Sequence, residues 1–277
     1  MENYIDGNQN RPKGAERLDN SSNLIVTIDG PVQIVAINRP DRRNAIDMET
    51  ANNLVEVFKQ FDANDDLRVA VLTGTNGNFC AGADLKAISQ GTANKVHEEG
   101  DAPLGISRMR LSKPVVAAIE GYAVAGGLEL AIWCDLRVVG ESAVLGVFCR
   151  RFGVPLVDLG TIRLPRLIGQ SRAMDMILTG RGVHSSEALQ FGLANRVVED
   201  GRALEEAVSI GKSIAAFPQI CMRNDRTSLY EQWDLSTESA VKNEVRLGLE
   251  TIRSGETLSG ASTFLEGLGR HGKSVEE

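Results

Sequence analysis

The sequence predicts an α/β core followed by a helical C-terminal section. Strand-like apolar runs alternate with amphipathic segments through the first two thirds, and past Gly160 the periodicity turns mostly helical. Twice, glycine-rich turns stand where a buried strand gives way to a helix. At 277 residues the chain is long enough to bury a large core.

Residues 1–22 are rich in Asn, Asp, Gly and Ser and are expected to form a disordered tail. They lack the apolar centre of a signal peptide and the basic, acid-poor composition of a mitochondrial presequence. Residues 24–28 and 33–37 flank Asp29-Gly30-Pro31 and predict a β-hairpin. Asp47 is placed to cap a helix in which Ala51, Leu54, Val55, Phe58 and Phe61 recur at helical spacing. Residues 68–74 predict a buried strand, and residues 114–119 a second that runs into a glycine turn and a helix. Residues 136–139 and 143–145 predict two more strands. Ser171 and Ser185 are expected N-caps, and Gly180 and Gly192 expected helix stops. Residues 193–198 predict one last strand, residues 203–216 an amphipathic helix ended by Pro218, and Ser236 the start of a helix reaching about Arg253.

The net charge of -7 argues against a nucleic-acid-binding surface. No apolar run approaches the length needed to span a membrane, so no membrane partner is expected. Cys80, Cys134, Cys149 and Cys221 are scattered without a CxxC pair, which predicts reduced thiols and a cytoplasmic location. His97, His184 and His271 lack metal-ligand spacing, so no metal site is expected. Near the C-terminus, Gly267-Leu268-Gly269-Arg270-His271-Gly272-Lys273-Ser274 matches two nucleotide-loop patterns. Both need a strand before and a helix after, and neither context is present.

The chemistry concentrates in Ala125-Gly126-Gly127-Leu128-Glu129-Leu130-Ala131. Glycine lets a ligand approach the backbone closely, and the first N–H groups of a helix have no intrahelical partner. A carboxylate one turn in leans back toward that end. Asn78-Phe79-Cys80-Ala81-Gly82-Ala83-Asp84-Leu85 forms a second small-residue turn after a strand. Two such turns can aim two N–H donors at one carbonyl oxygen, an arrangement suited to enolate chemistry with Glu129 as proton carrier.

With these segments, and with Asn38-Arg39-Pro40, Arg43-Asn44-Ala45-Ile46, Arg163-Leu164-Pro165 and Leu178-Thr179-Gly180, the chain resembles the enoyl-CoA hydratase/isomerase (crotonase) superfamily over residues 24–264. The resemblance implies a crotonase-like spiral of ββα turns over residues 23–215. It implies a helical oligomerisation region over residues 216–277, assembling homotrimers or dimers of trimers. It also implies an acyl-CoA thioester ligand, with no cofactor beyond the coenzyme A that the substrate carries. By the family pattern the N–H groups of Ala83 and Gly126 would hold the thioester oxygen beside Glu129. Arg43 and Lys86 would lie near the adenine and phosphates, and Ala45, Ala81, Asp84, Leu85 and Gly127 along the substrate channel.

One departure stands out. Where hydratases of this pattern carry a second glutamate, this chain has Cys149, and a neutral thiol holds water poorly. Three outcomes follow: hydration by Glu129 alone, a replacement carboxylate from Asp158, or a one-base double-bond migration. A non-catalytic acyl-CoA binder or an RNA-binding family member are the rivals of another class.

Overall fold

A computed structural model describes residues 16–19 and 23–267 of the chain. The chain divides into two compact units, residues 1–211 and 212–277. In the first, β1 (Glu16–Asp19) pairs antiparallel with β2 (Leu24–Asp29), and β2 with β3 (Val32–Ile37), Leu24 opposite Ile37 and Asp29 opposite Val32. Helix α1 (Met48–Ala63) starts at Asp47, whose carboxylate accepts the Thr50 N–H at 2.9 Å, and it buries Leu54, Phe58 and Phe61. A right-handed return is the default for such a crossover, and β4 (Val69–Gly74) lies parallel to β3. After the short α2 (Leu85–Ser89), β5 (Val115–Ile119) lies parallel to β4.

The next turns repeat one plan. β5 is followed by β6 (Tyr122–Val124) and α3 (Gly126–Trp133); β7 (Leu136–Gly140) is followed by β8 (Val144–Gly146), α4 (Gly160–Ile168) and α5 (Gln170–Thr179). Then come β9 (Gly182–His184), α6 (Ser185–Phe191), β10 (Arg196–Val198) and α7 (Ala203–Ala216). Among the described residues the strands form a seven-stranded sheet, β1-β2-β3-β4-β5-β7-β10, and a three-stranded sheet, β6-β8-β9. Parallel bridges Ile46–Ala83 and Cys80–Ala123 carry the spiral past β6, so the 80–83 segment lies directly beside β6. Phe58, Phe61, Phe79 and Leu128 are fully enclosed beneath it, and Phe58 meets the Trp133 ring edge-on at 5.1 Å.

Several expectations need correction. Residues 16–19 fall in the expected tail yet form β1; an edge strand pairs through its backbone, which composition does not report. The rest of that tail, and residues 268–274 of the nucleotide-loop match, lie outside the described residues. Ser171 is not a cap: α5 starts at Gln170 behind Gly169. Ser185 lies inside α6, and its hydroxyl donates to the Glu141 carbonyl at 2.5 Å instead. The single last strand is shorter than expected, and β6 and β9 are three-residue strands too brief to show an alternating pattern.

The second unit holds α8 (Gln219–Glu231), α9 (Thr237–Ser254) and α10 (Glu256–Leu265). The Ser236 hydroxyl caps α9 as expected, accepting from the Ser239 N–H at 3.2 Å. Glu256 accepts the first N–H groups of α8, from Ile220 and Cys221. Asn224 on α8 donates to Thr251 on α9. Leu229, Val241, Ile252, Leu258 and Leu265 are exposed on these helices.

Candidate active site

Helix α3 is apolar except for Glu129, and all eight of its residues are buried. Gly126 opens it behind Ala125, which sits at φ +55°, in the region a Cβ disfavours. Ala125 is held there by its N–H bond to the Gly146 carbonyl at 2.8 Å. The result aims the Gly126 N–H out of the helix. Gly82 comes against it: a Cβ on Gly82 would lie 2.7 Å from Gly126 N, and one on Gly126 would lie 3.5 Å from Ala83 N. The two amide nitrogens are therefore within about 6 Å of each other. Among the described residues neither the Ala83 nor the Gly126 N–H meets a protein acceptor. The fold brings these two amides close together.

The loop bearing Ala83 is braced from behind. Arg39 pairs with Asp84 at 3.0 Å and Asp47 at 2.6 Å, and also donates to the Ala45 carbonyl. Fully buried Asn44 donates to the carbonyls of Thr75 and Asn78. Asp84 is taken up by structure: it caps α2 through the Lys86 and Ala87 N–H groups. Burial opposes its charge, but the Ala87 N–H, the Arg39 guanidinium and the Lys86 N–H together hold its carboxyl below the usual range. Gly127 is likewise a packing residue, because a Cβ there would overlap the Cys80 carbonyl. Cys80 receives the Gly82 N–H on sulfur, and burial pushes its pKa up to about 12.

Of the outlying positions, Ala45 is buried and Ala81 half-buried, with its N–H on the Arg43 carbonyl. Arg43 is exposed, its guanidinium 5.6 Å from the centre of the Tyr122 ring. Leu85 and Lys86 are exposed, and Lys86 shares a cleft of about 340 Å³ with Arg39 and Arg42.

Glu129 is 2% exposed. Its Oε1 accepts the N–H groups of Asp158 at 3.0 Å and Gly160 at 2.8 Å. Leu159 between them lies at φ +71°, and this αL kink turns both N–H groups the same way. Gly160 is required, since a Cβ would lie 2.7 Å from Glu129 Oε1. Burial raises the Glu129 pKa to about 7, helped by the negative charge of Asp158 and opposed by the two N–H groups and Arg163. Asp158 is itself 3% exposed, bound to Leu104 N–H and the Ser107 hydroxyl rather than to Arg150 or Arg151. Those two arginines turn to the carbonyls of Ile177 and Gly180 at the end of α5. Cys149 is buried, and burial, with the charge of Glu129 next, raises its thiol pKa; it stays protonated and is no ready nucleophile. Sequence reasoning missed Arg39, Leu104, Ser107 and Gly160, because their roles depend on contacts across the fold. Among the described residues, no three His, Cys, Asp or Glu side chains are arranged to hold a metal ion, and no helix is long and apolar enough to cross a membrane.

The buried acid carries a stability consequence. The folded chain keeps a proton on Glu129 between about pH 4.5 and 7 that the unfolded chain loses, so this group's contribution falls as pH rises through that window. A permanently neutral Glu129→Gln should gain stability relative to wild type from pH 4.5 upward, levelling off above 7. The full gain should be on the order of 3 kcal/mol. Paired Tm measurements across pH check it; parallel curves would contradict the buried-acid assignment.

Ala83 and Gly126 lie close together, and the buried Glu129 stands one helical turn beyond Gly126. The family model for enoyl-CoA hydratase/isomerase matches residues 27–272. The chain belongs to that family. It is 33% identical over 254 residues to enoyl-CoA hydratase EchA19 of Mycobacterium tuberculosis, covering 90% of this chain and 96% of that protein. It is 34% identical over 239 residues to mevalonyl-coenzyme A hydratase sidH of Aspergillus fumigatus, covering 85% and 88%. A crystal structure of an enoyl-CoA hydratase from M. tuberculosis H37Rv superposes with a TM-score of 0.84 at 32% identity, over 89% of this chain and 96% of the other. The α/β spiral followed by C-terminal helices is thus the crotonase fold.

Proposed function

We propose that this member of the enoyl-CoA hydratase/isomerase family adds water across the double bond of a 2-enoyl-CoA. The observation that carries the proposal is the pair of unsatisfied N–H groups, Ala83 and Gly126, beside the buried Glu129. When water attacks C3, electron density moves through C2 to the thioester oxygen, and the two amides stabilise the charge that develops there. Glu129 takes the proton from the attacking water and then delivers it to C2, so one residue serves as base and then as acid. A pKa of about 7 suits both halves of that exchange at neutral pH. The proton balance closes without any further cofactor, and coenzyme A enters as part of the substrate.

The names of the relatives support a CoA thioester as ligand, and the exposed Arg42, Arg43 and Lys86 suit its phosphates, since Arg39, in the cleft with Arg42 and Lys86, is paired with Asp47 and Asp84. Arg43 and Lys86, both exposed, are proposed to lie near the adenine and phosphates. Assembly as a homotrimer or dimer of trimers in the cytoplasm belongs to the same proposal, supported by the exposed apolar side chains of α8–α10.

Purified protein should remove the conjugated thioester absorbance of crotonyl-CoA or a longer 2-enoyl-CoA. A panel of chain lengths left unchanged would refute hydration. Cys149, standing where a second carboxylate would grip the water, favours one alternative: a one-base isomerase, which would instead create that absorbance from a 3-enoyl-CoA.

A further inference from the structure

Behind Glu129 lies a second tier of hydrogen bonds that reaches a residue the function does not yet use. Ser107 is fully buried in the single turn Ile106–Arg108, and its hydroxyl donates to Asp158 Oδ1 at 2.5 Å. The Leu104 N–H reaches the same oxygen at 3.0 Å. A carboxylate oxygen offers two lone pairs, so Oδ1 is filled. The same count applies to Glu129 Oε1, filled by the N–H groups of Asp158 and Gly160. Leu104 also touches the other half of the site, since a Cβ on Gly126 would overlap its Cδ1. The 104–107 segment is thereby tied both to the oxyanion glycine and to the loop that holds the acid.

We propose that Ser107 and Asp158 are positioning residues for Glu129. The Ser107 hydroxyl and the Leu104 N–H fix the Asp158 carboxylate, and the segment so fixed presents the Asp158 and Gly160 N–H groups to Glu129 Oε1. Oε2 is left as the oxygen that exchanges the proton with substrate. Asp158 is thereby assigned to positioning rather than to holding the attacking water. The role rests on the proposed acyl-CoA chemistry and adds a chain of command within it. Besides each other, the charged or titratable groups acting on the two carboxylates are Arg108, Arg163, Cys80 and Cys149.

Two reactions separate positioning from water-holding: hydration of an enoyl-CoA, and exchange of the C2 proton of a saturated acyl-CoA in D2O, which needs no water addition. Asp158→Asn should slow both by a similar factor of about ten or more, with KM within about twofold. Ser107→Ala should lower kcat by about tenfold at unchanged KM, and Ser107→Thr, which keeps the hydroxyl, should restore it. If Asp158→Asn fails to fold, the Ser107 pair alone decides. Hydration lost with exchange retained, or a Ser107→Ala enzyme with wild-type kcat, would overturn the proposal. An infrared titration of the Glu129 carboxyl, identified by difference against Glu129→Gln, needs no substrate. Its midpoint should rise in Ser107→Ala, where the Asp158 charge is kept and the two N–H groups that favour the Glu129 carboxylate are displaced. An unmoved midpoint counts against the positioning role even in a protein that turns over no acyl-CoA, so failure here and failure of the functional proposal are told apart.

Discussion

Glu129→Gln is expected to lower kcat by about 10²–10⁴ while leaving acyl-CoA affinity near wild type. Glutamine matches glutamate in size and keeps an oxygen for the Asp158 and Gly160 N–H groups, so the loop around it need not move. What it loses is the ability to carry a proton. A residue used only to bind substrate would change KM instead. Steady-state kinetics beside calorimetric binding of a saturated acyl-CoA separate the two effects. Turnover within tenfold of wild type would mean that the proton travels through another group, and a protein inert before the substitution as well as after it would be a binder.

Gly82→Ala should be nearly as damaging, for a reason of space. Gly82 has φ +93°, and its added methyl would lie 2.7 Å from Gly126 N and 2.9 Å from the Ala125 side chain. The backbone there has no slack, because the neighbouring Ile46 and Asp84 bonds hold the loop on both sides. The methyl must push the two amides apart, and losing one oxyanion donor typically costs about 10²–10³ in rate. Some stability goes with it, about 1–2 kcal/mol for the positive φ. Gly77→Ala supplies the control: it too has positive φ, +67°, but open space around it. It should lose stability without losing activity. Equal rate losses in the two variants would detach Gly82 from the oxyanion hole.

Much of this site could be read before the fold was seen, and the division has a physical basis. The amides of Ala83 and Gly126 announce themselves because only small residues allow such close backbone approach, and Gly82 and Gly126-Gly127 provide it. Glu129 is conspicuous as the lone charge on a helix buried all round. Asp47, Gly180 and Gly192 were likewise visible as local stereochemistry, a side-chain cap and two αL stops. Ser107 gave no such sign: a serine in a short turn becomes meaningful only when a loop 51 residues later brings Asp158 against it. Gly160 looked like a helix start rather than the support of an acid 31 residues away. The resemblance sets Asp84 along the substrate channel, and its oxygens in the fold cap α2 and meet Arg39, contacts that no local pattern announces. The short strands β6 and β9 escaped because three residues pair by position in the spiral, not by their own propensity.

In the proposed mechanism Ala83 and Gly126 stabilise an enolate while Glu129 moves the C2 proton. Exchange of that proton reports both functions at once and is indifferent to whether water later adds. Proton NMR of saturated acyl-CoAs of several chain lengths, incubated with the enzyme in D2O, should show the C2 signal disappear for at least one of them. The loss should be abolished in Glu129→Gln and strongly slowed in Gly82→Ala. A wild-type enzyme that binds these thioesters yet leaves every C2 proton in place would contradict the assignment of this site.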